Sequence, residues 1–137
     1  NFVQGIAGFS QMKGNHTPRQ PQWSGNASLT WNTSLGGRDV YTRGDWIYTG
    51  KSYADESNLA YLGAYSVVNA RLGVNLTPQW VAELFVTNLF DEEAWEAGGR
   101  QTDFARAIQV PSVTQFQGVV VSPLDKREIG MRMNFRF

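Results

Sequence analysis

From Arg127 to Phe137 the chain alternates strictly, with Ile129, Met131, Met133, Phe135 and Phe137 on one side and Glu128, Gly130, Arg132, Asn134 and Arg136 on the other. Period two is the signature of a β-strand with one apolar and one polar face. The register is well determined, because a slip of one residue moves Arg132 to the apolar side. If that side faces lipid, an arginine near the bilayer midplane costs about 2–4 kcal/mol.

The same pattern recurs upstream. Trp80 to Phe90 sets Trp80, Ala82, Leu84 and Val86 against Val81, Glu83, Phe85 and Thr87. Ala64 to Leu76 sets Val68, Ala70, Leu72, Val74 and Leu76 against Asn69, Arg71, Gly73 and Asn75, and only Thr77, Pro78 and Gln79 separate the two, as in a hairpin. Val40 to Tyr53 places Arg43, Asp45 and Lys51 opposite Val40, Thr42, Trp46 and Tyr48. Gln22 to Asn32 places Ser24, Asn26, Ser28 and Thr30 opposite Trp23, Ala27, Leu29 and Trp31, with Ser34-Leu35-Gly36-Gly37 as the joining turn. Phe2 to Gln11 makes a sixth strand whose glycines blur its faces.

Connections alternate in length too. Stretches of about ten residues around Asn15–Pro21 and Ala54–Gly63, and of roughly 35 from Asp91 to Lys126, alternate with the short turns. Short turns on one rim and long loops on the other mark an outer-membrane barrel, with the long loops extracellular. The fold expected is therefore all-β: a segment of an antiparallel up-and-down transmembrane β-barrel. No apolar run approaches the roughly 18–20 residues of a membrane-spanning helix, and a mean hydropathy of −0.35 is uninformative, because alternation hides a lipid face from any window average. About six strands cannot close a pore. Asn1 opens in mid-strand with neither Met nor signal peptide, so the chain is expected to be a fragment or processed piece of a longer protein.

Composition excludes several functions. Twelve Lys+Arg balance twelve Asp+Glu, which leaves nothing to steer the chain to nucleic acid. With no Cys and a single His, His16, thiolate chemistry, a His triad and a multi-histidine metal site are all out of reach. No phosphate-cradling glycine loop or paired-carboxylate constellation stands out, so no catalytic residue and no enzyme is read. Asp91, Glu92, Glu93 and Glu96 offer oxygen ligands but lack the spacing and ordering glycine of a calcium loop, so no metal is assigned. Asn15, Asn26, Asn32 and Asn75 begin N-x-Ser/Thr sequons, to which no meaning is attached.

Three motifs in order resemble a known family: Tyr65-Ser66-Val67-Val68-Asn69-Ala70-Arg71-Leu72-Gly73, then Val86-Thr87-Asn88-Leu89-Phe90-Asp91, then Arg127-Glu128-Ile129-Gly130 running to Phe135-Arg136-Phe137. Together they look like the C-terminal part of the barrel of a TonB-dependent receptor. The resemblance implies the last six or so strands of a barrel of about 22, filled by an N-terminal plug that lies outside this chain. It further implies the outer membrane of a Gram-negative bacterium, uptake of a scarce ligand such as a siderophore–iron complex, cobalamin or a glycan, and the TonB complex as a partner through the absent N-terminal part. A passive porin and a soluble small-ligand-binding β-barrel are the alternatives.

Candidate sites follow. Arg43, Asp45, Lys51, Arg71, Glu83, Arg132 and Arg136 are expected to line a polar lumen; their bland reading is solvated or cross-strand charge. Trp95, Arg100, Asp103, Phe104, Arg106 and Phe116 suit stacking and bonding of a ligand at the mouth, or ordinary loop packing. Trp23, Trp31, Trp46, Tyr48 and Trp80 are candidates for an aromatic girdle against outer-membrane lipid. Gly130, Met133, Phe135 and Phe137, within Glu128–Phe137, are similar to the C-terminal signal read by the barrel-assembly machinery.

Overall fold

A computed structural model of the chain describes residues 12–102 and 117–136. The expected first strand, Phe2–Gln11, lies outside the described residues. The described chain divides into two compact units. Of the described residues, the first takes in 12–23, 50–64, 94–102 and 117–123, and the second 24–49, 65–93 and 124–136.

The second unit is one antiparallel sheet of five strands: β1 (Ser24–Leu35), β2 (Arg38–Thr49), β5 (Tyr65–Asn75), β6 (Trp80–Thr87) and β9 (Glu128–Phe135), in that spatial order. Each strand pairs with the next wall strand along the chain, which is the up-and-down topology expected. β1 runs further than the alternation suggests, because the turn to β2 needs only Gly36 and Gly37. Both have positive φ, 58° and 74°, as a two-residue type I′ turn requires, and Leu35 pairs with Arg38 across it. At the β5–β6 turn the Thr77 hydroxyl accepts the Trp80 N–H at 3.1 Å and the Gln79 N–H at 3.3 Å. The two tight turns lie at one end of the sheet and the long connections at the other.

The first unit holds what the alternation leaves as loops. The β2 pattern does not continue to Tyr53: the strand stops at Thr49, and Gly50 donates its N–H to the Trp23 carbonyl at 2.8 Å, an approach so close that a Cβ on Gly50 would collide with Trp23. A short ribbon of β3 (Ser52–Tyr53) and β4 (Tyr61–Leu62) follows. The long Asp91–Lys126 connection carries a second ribbon, β7 (Trp95–Thr102) paired with β8 (Gln117–Pro123). The Ala54–Gly63 and Asp91–Lys126 segments are therefore partly strand rather than plain loop.

Among the described residues the only buried apolar side chains are Ala54 and Leu62, both in the first unit. The five-stranded sheet is a single layer without a core of its own.

Candidate functional site: the two faces of the wall

Pairing registers fix which residues share a face. Arg43 stands opposite Arg71, Arg71 opposite Phe85, and Phe85 opposite Gly130. With alternation along each strand, one face therefore carries Ser28, Tyr41, Arg43, Asp45, Asn69, Arg71, Glu83, Arg132 and Asn134, together with Ile47, Val67, Val81 and Phe85. Arg136, just past β9, keeps the same parity and donates its N–H to the Gln79 carbonyl at 2.8 Å. Six of the seven candidate lumen residues are thus brought to one face or its rim. Lys51 is not among them: it lies past the end of β2 in the first unit, its Nζ 4.7 Å above the Tyr53 ring and 4.0 Å above that of Tyr61. Carrying the strand on to Tyr53 misplaces it.

The charges of this face are organised in two knots. Asp45 accepts from Arg43 Nε at 2.9 Å and from the Ser28 hydroxyl at 2.6 Å, and Arg43 Nη2 closes to 2.7 Å. Glu83, 8% exposed, accepts the Tyr41 phenol and lies 3.6 Å from Arg132 Nη1. Of the two pairings that the alternation leaves open for Glu83, Arg71 or Arg132, the shear selects Arg132, its direct cross-strand partner. Tyr41 reaches Glu83 from two strands away because Gly73 lies between them: a Cβ there would overlap the tyrosine ring. Phe85 crosses Gly130 in the same manner, with Arg132 above its ring at 5.6 Å. Gly130, singled out for assembly, thus also has a packing reason. Tyr41 was not among the candidates, although its parity with Arg43 and Asp45 signals it.

The opposite face carries Leu29, Trp31, Trp46, Tyr48, Leu72, Trp80, Leu84, Ile129, Met131, Met133 and Phe135. Leu84, at its centre, is 52% exposed and Met131 beside it 69%. Within the strands, Arg38, at the turn, is its only charge. Aromatics bound it: Trp80 lies against Phe135, ring centroids 4.9 Å apart, at the tight-turn end, and Trp46 stacks on Tyr48 at 6.2 Å toward the other. By register, Trp80 and Tyr48 lie ten residues apart along the strands. That is about 34 Å, or about 24–28 Å of depth at a barrel's usual tilt of 35–45°, against an apolar band of about 25 Å. Of the girdle candidates, Trp31, Trp46, Tyr48 and Trp80 lie on this face, whereas Trp23 belongs to the first unit.

The rim where β6 ends is held by Asn88, 4% exposed and at a positive φ of 48°. Its N–H donates to Asn69 Oδ1 at 2.9 Å, its Nδ2 donates to the carbonyls of Glu92 at 3.0 Å and Asp125 at 2.9 Å, and its Oδ1 accepts the Glu92 N–H at 2.8 Å. Asp91 accepts the Arg127 N–H at 2.9 Å, which holds its carboxyl below the ordinary aspartate range, with Lys126 and Arg127 adding to the effect. Lys126 pairs with Glu93, which raises its pKa. Both stems of the long connection are thereby clasped.

In the first unit, Asn58 pairs with both main-chain groups of His16, at 2.6 Å and 3.0 Å, and the His16 ring stacks on Tyr53 at 5.5 Å. Of the mouth candidates, Trp95 lies in β7 opposite Pro123, and the Arg100 backbone pairs with Val119. Asp103, Phe104, Arg106, Phe116 and, at the C-terminus, Phe137 lie outside the described residues.

A single antiparallel layer, apolar between aromatic ends on one face and charged on the other, is the wall of a transmembrane β-barrel; no helix among the described residues is long and apolar enough to cross a membrane. A family model described as TonB dependent receptor-like, beta-barrel matches residues 2–89, and the chain belongs to that family. A search of the solved structures finds the crystal structure of the ferric yersiniabactin uptake receptor FyuA from Yersinia pestis, with a TM-score of 0.75 and 20% identity over 92% of this chain. The likeness is one of fold, and the chain spans 18% of that receptor's length. No curated protein matches.

Proposed function

We propose that the chain is the C-terminal part of the barrel of a Gram-negative outer-membrane receptor that imports a scarce ligand, energised through TonB. One observation carries this reading: the sheet has no core, and its exposed apolar face is a contiguous band of membrane height. Soluble monomers rarely leave so large an apolar patch in water, whereas lipid accepts it without cost. Family membership supports uptake over passive permeation, and the name of the structural neighbour makes an iron chelate the first ligand class to test.

In this reading Arg43, Asp45, Arg71, Glu83, Arg132 and Arg136 face the lumen, and the ribbon bearing Trp95 and Arg100 is extracellular, at the mouth. Edge strand β9 offers its unpaired backbone first to the assembly machinery and then to the strand that closes the barrel. The test is uptake of labelled ferric siderophores by cells expressing the full-length protein, with and without TonB function. Uptake that disappears with TonB supports the proposal. Uptake that persists makes the protein a passive channel.

A further inference from the structure

Arg38 stands on the apolar face, and no acid of that face answers its charge. The registers extend one row across the tight-turn end of the sheet, through Leu35, Arg38, Leu76, Trp80 and Phe135: four apolar side chains and one guanidinium. Among the described residues the exposed Arg38 side chain makes no hydrogen bond or ion pair. Asp39, next to it in sequence, belongs to the polar face by alternation. Cations at the other end of the sheet are placed differently, since Lys126 pairs with Glu93 and Arg127 stands beside Asp91. A lane of small side chains leads away from Arg38 along β2, through Val40, Thr42 and Gly44 to Trp46. It runs between exposed ridges: Trp31 and Leu29 of β1 stand opposite Thr42 and Gly44, and Leu72 of β5 stands opposite Thr42. A glycine inside a strand marks a bulge or the close approach of another group. Both registers of β2 pass Gly44 without a shift, so it is no bulge. Gly73 and Gly130 are crossed by the rings of Tyr41 and Phe85, whereas a Cβ on Gly44 would meet nothing of the described chain within 4 Å. Arg38 to Gly44 is about 20 Å along the strand and about 14–17 Å of depth at a tilt of 35–45°, half of a hydrocarbon core of about 30 Å.

We infer that Arg38 and the Val40–Gly44 lane hold one glycerophospholipid, its phosphate on the guanidinium and one acyl chain along the lane. The inference rests on the reading of this face as lipid-facing, and it adds a preferred lipid molecule to a face that otherwise meets lipid only as solvent. Arg38 adjoins one tight turn as Trp80 adjoins the other, at the rim where aromatic residues and headgroups meet. Its planar fork matches two phosphate oxygens in parallel. The ridges stand two strands, about 10 Å, apart, so the lane admits a hydrocarbon chain and excludes a helix about 10–12 Å across. Because the positive charge is unanswered, an anionic headgroup is preferred to a zwitterionic one, whose own amine competes for the phosphate.

The experiment is photo-crosslinking of the full-length protein in phosphatidylcholine vesicles that contain a small fraction of phosphatidylglycerol with a diazirine in one acyl chain, mapped by peptide mass spectrometry. Labelling of Val40, Thr42 and Gly44 is expected to exceed that of Ala82, Leu84 and Val86, the outward residues of β6, by about fivefold. Arg38→Gln should cancel the preference and Arg38→Lys should retain part of it. Gly44→Leu should lower labelling of the lane by filling it. Diacylglycerol carrying the same diazirine but no phosphate should show no preference, and inorganic phosphate should not compete. Equal labelling of β2 and β6 overturns the inference, and so does a preference that survives Arg38→Gln. A preference that inorganic phosphate abolishes also overturns it, by making Arg38 a site for a free anion. If Gly44→Leu fails to insert, the two Arg38 variants decide. Labelling confined to the polar face would sink the reading of the wall itself, whereas even labelling of the apolar face leaves that reading standing and removes only the lipid site.

Discussion

Tyr41 lies across Gly73, and this one contact joins three strands, because the phenol spans the missing side chain of β5 to donate to Glu83 on β6. A carboxylate 8% exposed and held by a neutral donor depends on that donor more than on its distant cation. The Arg132 side chain is 59% exposed and stands 3.6 Å away, the geometry of a weak surface pair.

A ranking of three variants follows. Gly73→Ala pushes the ring aside and is expected to cost about 1–3 kcal/mol, as overpacking does. Tyr41→Phe keeps the ring but leaves Glu83 without its donor, at about 1–3 kcal/mol. Arg132→Gln should cost at most about 1 kcal/mol. Denaturant unfolding of the detergent-solubilised barrel measures all three; Arg132→Gln as the most damaging would contradict the assignment.

Asn88 makes a separate case, because it combines a left-handed backbone with hydrogen bonds to both stems of the long connection. Asn88→Ala loses the bonds and strains φ, for about 2–4 kcal/mol. Asn88→Gly loses the bonds alone and should be milder by about 1 kcal/mol. Limited proteolysis within 91–126 reports the loosening, and equal rates for the two variants would remove φ from the explanation.

These residues also show where the sequence is legible and where it is not. Wall strands announce themselves because one apolar and one polar face impose period two, and parity alone put Arg43, Asp45, Arg71, Glu83 and Arg132 together. Strand ends and shear are set by contacts distant in sequence, which is why β2 stops where Gly50 meets Trp23 and Lys51 falls beyond it. The β7–β8 ribbon escapes notice because Trp95–Thr102 has no alternation and is interrupted by Gly98 and Gly99, while β8 reads as an unbroken Val119-Val120-Val121 run. Asn88 stands inside a recognised motif, but its role depends on Asn69 and Asp125, which no local pattern connects to it.

Acidification should loosen the same clasp. Asp91 has a folded pKa below its unfolded value, so its contribution is complete above the ordinary aspartate range and disappears as pH falls through the depressed folded value. Amide exchange of Arg127, corrected for intrinsic rate, should therefore be flat from neutral pH down to the ordinary aspartate range and accelerate below it. Asp91→Asn should abolish that acid-dependent step. A step that persists in Asp91→Asn would assign it to another carboxylate.

The central claim is that one face of the sheet meets lipid and the other water. The chain contains no Cys, so once any cysteine elsewhere in the full-length protein is replaced, single cysteines placed in turn at Asn69, Ala70, Arg71 and Leu72 of β5, and at Glu83 and Leu84 of β6, can carry a spin label in bilayers. Collision with oxygen, which partitions into lipid, should dominate at Ala70, Leu72 and Leu84. Collision with a water-soluble nickel chelate should exceed it at Asn69, Arg71 and Glu83. Accessibility that fails to alternate, or aqueous contact on both faces, would contradict the barrel-wall account.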